Sequence, residues 1–143
     1  MTTAHASIDQ HPDILALRAS YDRAAESMAA QATFGLTLLT AIFVALSPHI
    51  VGFDTLTRLP VSDLIVGITV AVLAMCFGSA LDRTHGMTWT LPVFGLWIFF
   101  SPWIFVASPS AAIIWTHVIC GVLITVFGLY AVYFGMRVRG SEH

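Results

Sequence analysis

Three stretches without Asp, Glu, Lys or Arg dominate the chain, at residues 27–53, 64–81 and 84–136. About 20 apolar residues carry a helix across the hydrocarbon of a bilayer, and each charge at its centre costs about 2.5–3.5 kcal/mol, so the first two stretches each predict one crossing. The third is more than twice the required length. Ser101-Pro102 and Ser108-Pro109-Ser110 interrupt it near its middle, so it is expected to fold back into two helices. Backbone amides in lipid have no water to bond, which makes helices the economical solution for segments of this length. The expected spans are 33–50, 64–81, 90–105 and 112–136. Ahead of them, Ile14, Leu17, Tyr21, Ala24 and Met28 keep heptad spacing while Asp13, Arg18, Asp22, Arg23 and Glu26 take other faces. That pattern predicts an amphipathic helix over 11–30, opened by Pro12 in its first turn, lying on the inner leaflet or docking a protein. Residues 1–10 are expected to be a disordered tail and 138–143 a short cytoplasmic one.

Composition agrees with this pattern and removes some functions. The chain has 143 residues, 57% hydrophobic and only 10% charged, with a mean hydropathy of +0.85. So few polar residues cannot clothe a water-facing surface. All six cations are arginine, and the net charge of -2 offers no basic field, so nucleic-acid binding is set aside. Cys76 and Cys120 lie inside apolar runs at opposite depths and are expected to be small buried residues rather than a disulfide or a metal clip.

Arginine sets the orientation. Arg18, Arg23, Arg83, Arg137 and Arg139 all fall on the side of the termini and only Arg58 falls opposite, so both termini and the Asp82-Arg83 turn are expected in the cytoplasm of a multi-pass cell-membrane protein. Residues 54–63 and 107–111 then face outward. A cleaved signal peptide fits poorly, because Asp9, Asp13, Asp22 and Glu26 stand where a basic region would be required.

Ser47-Pro48-His49 recurs as Ser101-Pro102-Trp103, 54 residues on, and the same offset maps Ile65 onto Ile119, Gly67 onto Gly121, Val72 onto Val126 and Arg83 onto Arg137 without a gap. Each unit is an ascending helix ending at Ser-Pro and a descending helix entered before a glycine. The fold class expected is therefore an all-α membrane protein of four transmembrane helices, arranged as two parallel two-helix repeats at 33–83 and 87–137 about a pseudo-twofold axis along the membrane normal. Together with the tail His11-Pro12-Asp13-Ile14, these residues make the chain resemble the SPW repeat family of bacterial, notably actinobacterial, integral membrane proteins. The resemblance extends from about residue 12 to 138, departs from the family's tryptophan at His49, and implies no enzymatic activity.

Few residues offer chemistry. Pro48 and Pro102 lack an amide hydrogen and end or kink a helix, with Ser47 and Ser101 placed to bond the freed backbone. Trp89, Trp103 and Trp115 sit where indoles anchor at headgroups; Trp97 sits deeper, in core or lipid. Asp63 suits the cap of the second span. Its counterpart at the repeat offset is His117, so an Asp63 to His117 pair near the axis is conceivable as a proton or ion site. His49 and His117 would be the ligands of a haem or metal, although no third ligand at metal spacing accompanies them, and interfacial histidines are the simpler reading. Gly67, Ala71, Ala74 and Gly78 share one helix face, and Gly121, Thr125, Gly128 and Gly135 the matching one. Small faces let backbones approach, so the two descending helices are expected to touch each other or each to meet a partner subunit.

The expectation for function is a noncatalytic accessory or scaffold subunit of a larger membrane assembly, without catalytic residues, cofactor or metal. Its partners would be the bilayer and another membrane protein or a second copy. A small-molecule or ion site or permeation path between the repeats, using Asp63, His49 and His117, is the alternative, and a haem-binding redox protein is a third.

Overall fold

A computed structural model describes residues 11–53, 55, 58–79 and 86–140. The expected tail 1–10, the Asp82-Arg83 turn, Asp54 and residues 141–143 lie outside these. Four helices make up the fold: α1 Pro12–Val51, α2 Arg58–Ser79, α3 Thr90–Phe105 and α4 Ala111–Gly140, with no strand among the described residues.

Pro12 opens α1 where a missing amide hydrogen costs nothing, and His11 caps it, its Nδ1 accepting from the Asp13 amide at 3.4 Å. The helix then runs 40 residues without a break. Ala29, Ala30 and Ala32 join the expected helix over 11–30 to the first span, since alanine is the strongest helix former and leaves nothing to end it there. Leu15, Leu17, Tyr21 and Met28 are all exposed along this first part. At the far end Gly52 takes the left-handed conformation with φ of +85°, which glycine adopts without strain. Its amide and that of Phe53 both donate to the Pro48 carbonyl, at 3.1 and 3.0 Å. The chain reverses there and Phe53 is buried against the bundle.

Helix α2 starts at Arg58, six residues before the charge-free run that set its expected start at 64. Pro60 falls in the first turn, where no hydrogen bond is lost, and Asp63 points inward to a partner, so neither breaks the helix. Asp63 is therefore not the cap expected of it but a buried residue within α2.

The most extensive packing joins α1 to α2 and α3 to α4; α1 packs on α4 to a lesser degree, and α2 on α3 less again. The helices thus form a ring with α2 and α4 across from one another. The two descending helices touch at Asp63 and His117, while the close approaches of their glycines are to the ascending helix of the same hairpin. A Cβ on Gly67 would stand 2.8 Å from the Ala41 carbonyl oxygen, and one on Gly121 would stand 2.8 Å from the Phe99 Cα. Gly128 is equally close to Pro92, and Gly95 packs on Thr125. In lipid such approach supplies the dispersion contacts that hydrophobic exclusion supplies in water.

Within the ring, Ala41, Val44, Val70, Leu91, Ile98 and Ile124 are buried in one cluster. Outside it, large apolar side chains such as Leu39, Ile65, Val93, Trp115 and Val126 are exposed on every helix. Only 28–33% of the most apolar window of α1, α2 and α4 is buried, and by length and composition each of these three can cross a membrane. Helices apolar on all sides belong in hydrocarbon, and this is the construction of a membrane protein. Helix α3, at 16 residues and about 24 Å, is shorter than the roughly 30 Å of a hydrocarbon core. Cys76 and Cys120 are free thiols; Cys120 is buried as expected, whereas Cys76 is exposed.

Candidate functional site

Two Ser-Pro dipeptides shape one end of the bundle. Proline at 48 has no amide hydrogen to give the carbonyl four residues back, Val44, and proline at 102 leaves the Ile98 carbonyl in the same state. The Ser47 hydroxyl donates to the Val44 oxygen at 2.8 Å, and the Ser101 hydroxyl donates to the Ile98 oxygen at 2.9 Å. Both serines are buried, where an unsatisfied carbonyl is costly. Each serine thus satisfies the acceptor that the next residue orphans, and each helix continues three residues past its proline before ending, at Val51 and at Phe105.

Against this end lies the ionisable pair. Asp63 on α2 and His117 on α4 are each 1% exposed, and the His117 Nε2 stands 3.0 Å and 3.2 Å from the two carboxylate oxygens. The His117 Nδ1 stands 2.9 Å from the Ile113 carbonyl oxygen, one turn earlier on the same helix. A carbonyl only accepts, so Nδ1 carries a hydrogen. The remaining proton of the pair then lies between Nε2 and the carboxylate, making either imidazolium with carboxylate or neutral imidazole with carboxylic acid. Both forms leave the pair without net charge, which is how such groups are accommodated among apolar helices. Phe53 packs its ring 5.8 Å from the imidazole, and it forms with Leu59 and Ile113 a small buried cluster around the pair. No buried side-chain nitrogen or oxygen among the described residues lacks a partner.

Of the three residues expected to form a ligand site, the structure brings together Asp63 and His117. His49 is exposed at the end of α1 and takes no part in their contact. With Nδ1 and Nε2 both engaged, His117 presents no lone pair to a haem iron, and no group of three or more His, Cys, Asp or Glu suited to a metal occurs among the described residues. Trp89, Trp103 and Trp115 are exposed. Trp97 faces outward between α2 and α3, its indole donating to the Ser62 hydroxyl at 3.4 Å. Phe53 and the Ile113 carbonyl were not singled out by sequence. A glycine closing an apolar run, Gly52, was the signal that the next residue folds back.

The model of one protein family, the SPW repeat domain, matches residues 31–131, a stretch that holds both Ser-Pro dipeptides, Asp63 and His117. No curated protein and no solved structure matches the chain.

Proposed function

The chain belongs to the SPW repeat domain family, and from that premise we propose that it is a noncatalytic multi-pass protein of the cell membrane that acts by contact, as an accessory or scaffold subunit of a larger membrane assembly. It crosses the bilayer four times as two parallel repeats, with both termini and the amphipathic start of α1 on the cytoplasmic side. Support for the repeat comes from the 54-residue offset, which relates the two back-bonded serines, the two helix ends, and the close approaches at Gly67 and Gly121. Asp63 and His117 are themselves 54 apart in contact. A residue that touches its own counterpart lies on the axis that exchanges them.

The observation that carries the reading is the completeness of this pair. Every polar atom of it is engaged within the protein, apolar residues close it off, and its effect is to fasten α2 of one hairpin to α4 of the other. Among the described residues little lies outside the helices, so the bundle has chiefly its lateral surface to offer. Mild solubilisation of the membranes is expected to yield the chain with a companion in fixed ratio. The double variant Asp63→Leu with His117→Phe is expected to keep that companion, because the fastening is replaced by apolar packing. A lone monomer across several mild detergents would refute the proposal.

One feature favours a second reading, the proton shared between Nε2 and the carboxylate, which suits a proton-linked or cation-binding role between the repeats. Asp63→Asn would then abolish flux or binding in proteoliposomes. A folded double apolar variant with its phenotype intact excludes this reading.

A further inference from the structure

Helices α2 and α3 make the least extensive junction of the ring, and a cleft of about 640 Å³ opens between them, within the usual range of roughly 300–1,000 Å³ for ligand sites. Ser62 and Val66 of α2 and Phe94, Trp97 and Phe105 of α3 line it, with Arg58 at one mouth. The wall is almost wholly apolar, its polar points being the Ser62 hydroxyl, the indole bonded to it and the guanidinium. From Arg58 to Val66 the lining residues of α2 fall on one face, over about 12 Å of helix.

Arg58 occupies the first turn of α2, where the positive end of the helix dipole already disfavours a cation, and no acidic residue lies in that turn. Its side chain is exposed. Cation and dipole therefore add to a positive mouth on an apolar slot. At the other junction between hairpins, α4 begins with Ala111 and Ala112 and packs more fully on α1, so neither the slot nor the charge is required by the fold. An almost wholly apolar slot about 12 Å long with a cation at its mouth matches an acyl chain below an anionic headgroup.

We infer that this cleft is a binding site for one anionic phospholipid, its phosphate paired with the Arg58 guanidinium and one acyl chain laid along Trp97 and Val66. A planar guanidinium suits phosphate oxygens two at a time, and a net negative headgroup answers the combined field of arginine and dipole. The test is native mass spectrometry of the intact protein released from detergent, with phosphatidylglycerol and phosphatidylcholine of identical chains added in equal amounts. One phosphatidylglycerol is expected to be retained about fivefold over phosphatidylcholine. Arg58→Gln is expected to bring that ratio to about one and leave phosphatidylcholine retention as it was. Val61→Trp, at an exposed position on the cleft wall, is expected to lower retention of both lipids. Equal retention by the unaltered protein, or a preference that survives Arg58→Gln, overturns the site. A mass of two chains that Val61→Trp reduces to one, with no lipid preference, assigns the cleft to a second copy and overturns it equally.

Discussion

At the scale of single residues, a serine placed just before a proline in a helix is complementary to it, because its hydroxyl reaches the carbonyl that the proline cannot serve. This gives Ser47-Pro48 and Ser101-Pro102 a thermodynamic signature. Ser47→Ala is expected to cost about 1–3 kcal/mol by leaving the buried Val44 oxygen without a donor. Pro48→Ala restores an amide donor to that oxygen, so Ser47→Ala is expected to cost markedly less in the Pro48→Ala background. Unfolding in mixed micelles for the four proteins of this cycle measures it; the same penalty with and without the proline would show that the two residues act separately. The Asp63–His117 pair makes a parallel case. Asparagine at 63 can still accept from Nε2 or donate to it, so Asp63→Asn is expected to cost under about 1 kcal/mol. Leucine leaves a buried nitrogen unserved and is expected to cost about 1–3 kcal/mol. Equal losses for the two variants in the same assay would mean that full charge separation, rather than a shared proton, holds the pair.

At the scale of helices, the glycines show what a stripe of small residues specifies. Gly121 has backbone atoms of Phe99 at 2.8 Å from any added Cβ, whereas the nearest atom to a Cβ on Gly78 is the Phe34 Cβ at 3.6 Å. Gly121→Ala is therefore expected to destabilise the hairpin of α3 and α4 by about 1–3 kcal/mol through forced separation of backbones. Gly78→Ala is expected to be neutral, or stabilising by up to about 1 kcal/mol, through loss of backbone freedom in the unfolded chain. Thermal loss of helical signal in detergent distinguishes them, and similar behaviour of the two would remove close approach as the reason for Gly121. The stripe was legible in sequence because it is periodic. Its partner was not, since the same face suits any backbone that comes near, and Gly67 and Gly121 each received the helix nearest along the chain. The start of α2 was misplaced for a related reason: a charge-free window treats Asp63 as a boundary, and only the tertiary partner His117 makes a carboxylate admissible within the helix. The bounds 90–105 of α3 could be read directly, because its end is written in Ser101-Pro102 and the Ser-Pro-Ser that follows.

At the scale of the molecule, packing is strongest inside each hairpin and weaker between them, and the Asp63–His117 pair is the buried polar contact across that weaker division, beside the exposed hydrogen bond from Trp97 to Ser62. Its meeting was conceivable from sequence because the same offset of 54 that relates the two Ser-Pro dipeptides relates 63 to 117. The exclusion of His49 was not legible, because sequence places it only near the same boundary and its direction depends on how α1 ends at Gly52. This division of strength has a consequence for assembly. Two fragments divided between Ser79 and Gly86, expressed together, keep both of the extensive interfaces intact and break only the chain connection. They are expected to associate in the membrane and to copurify through a tag on one of them. Asp63→Leu in the first fragment should lower the fraction of fragments that pair, whereas the hairpins of the unbroken chain stay associated, because covalent linkage supplies an effective concentration that separate fragments lack. Gly121→Ala, which acts within the second hairpin, should lower the yield of that fragment before it affects pairing. Should Asp63→Leu leave fragment pairing untouched while Gly121→Ala abolishes it, the union of the hairpins rests on apolar packing and the Trp97 to Ser62 hydrogen bond, and the buried pair is not its fastening.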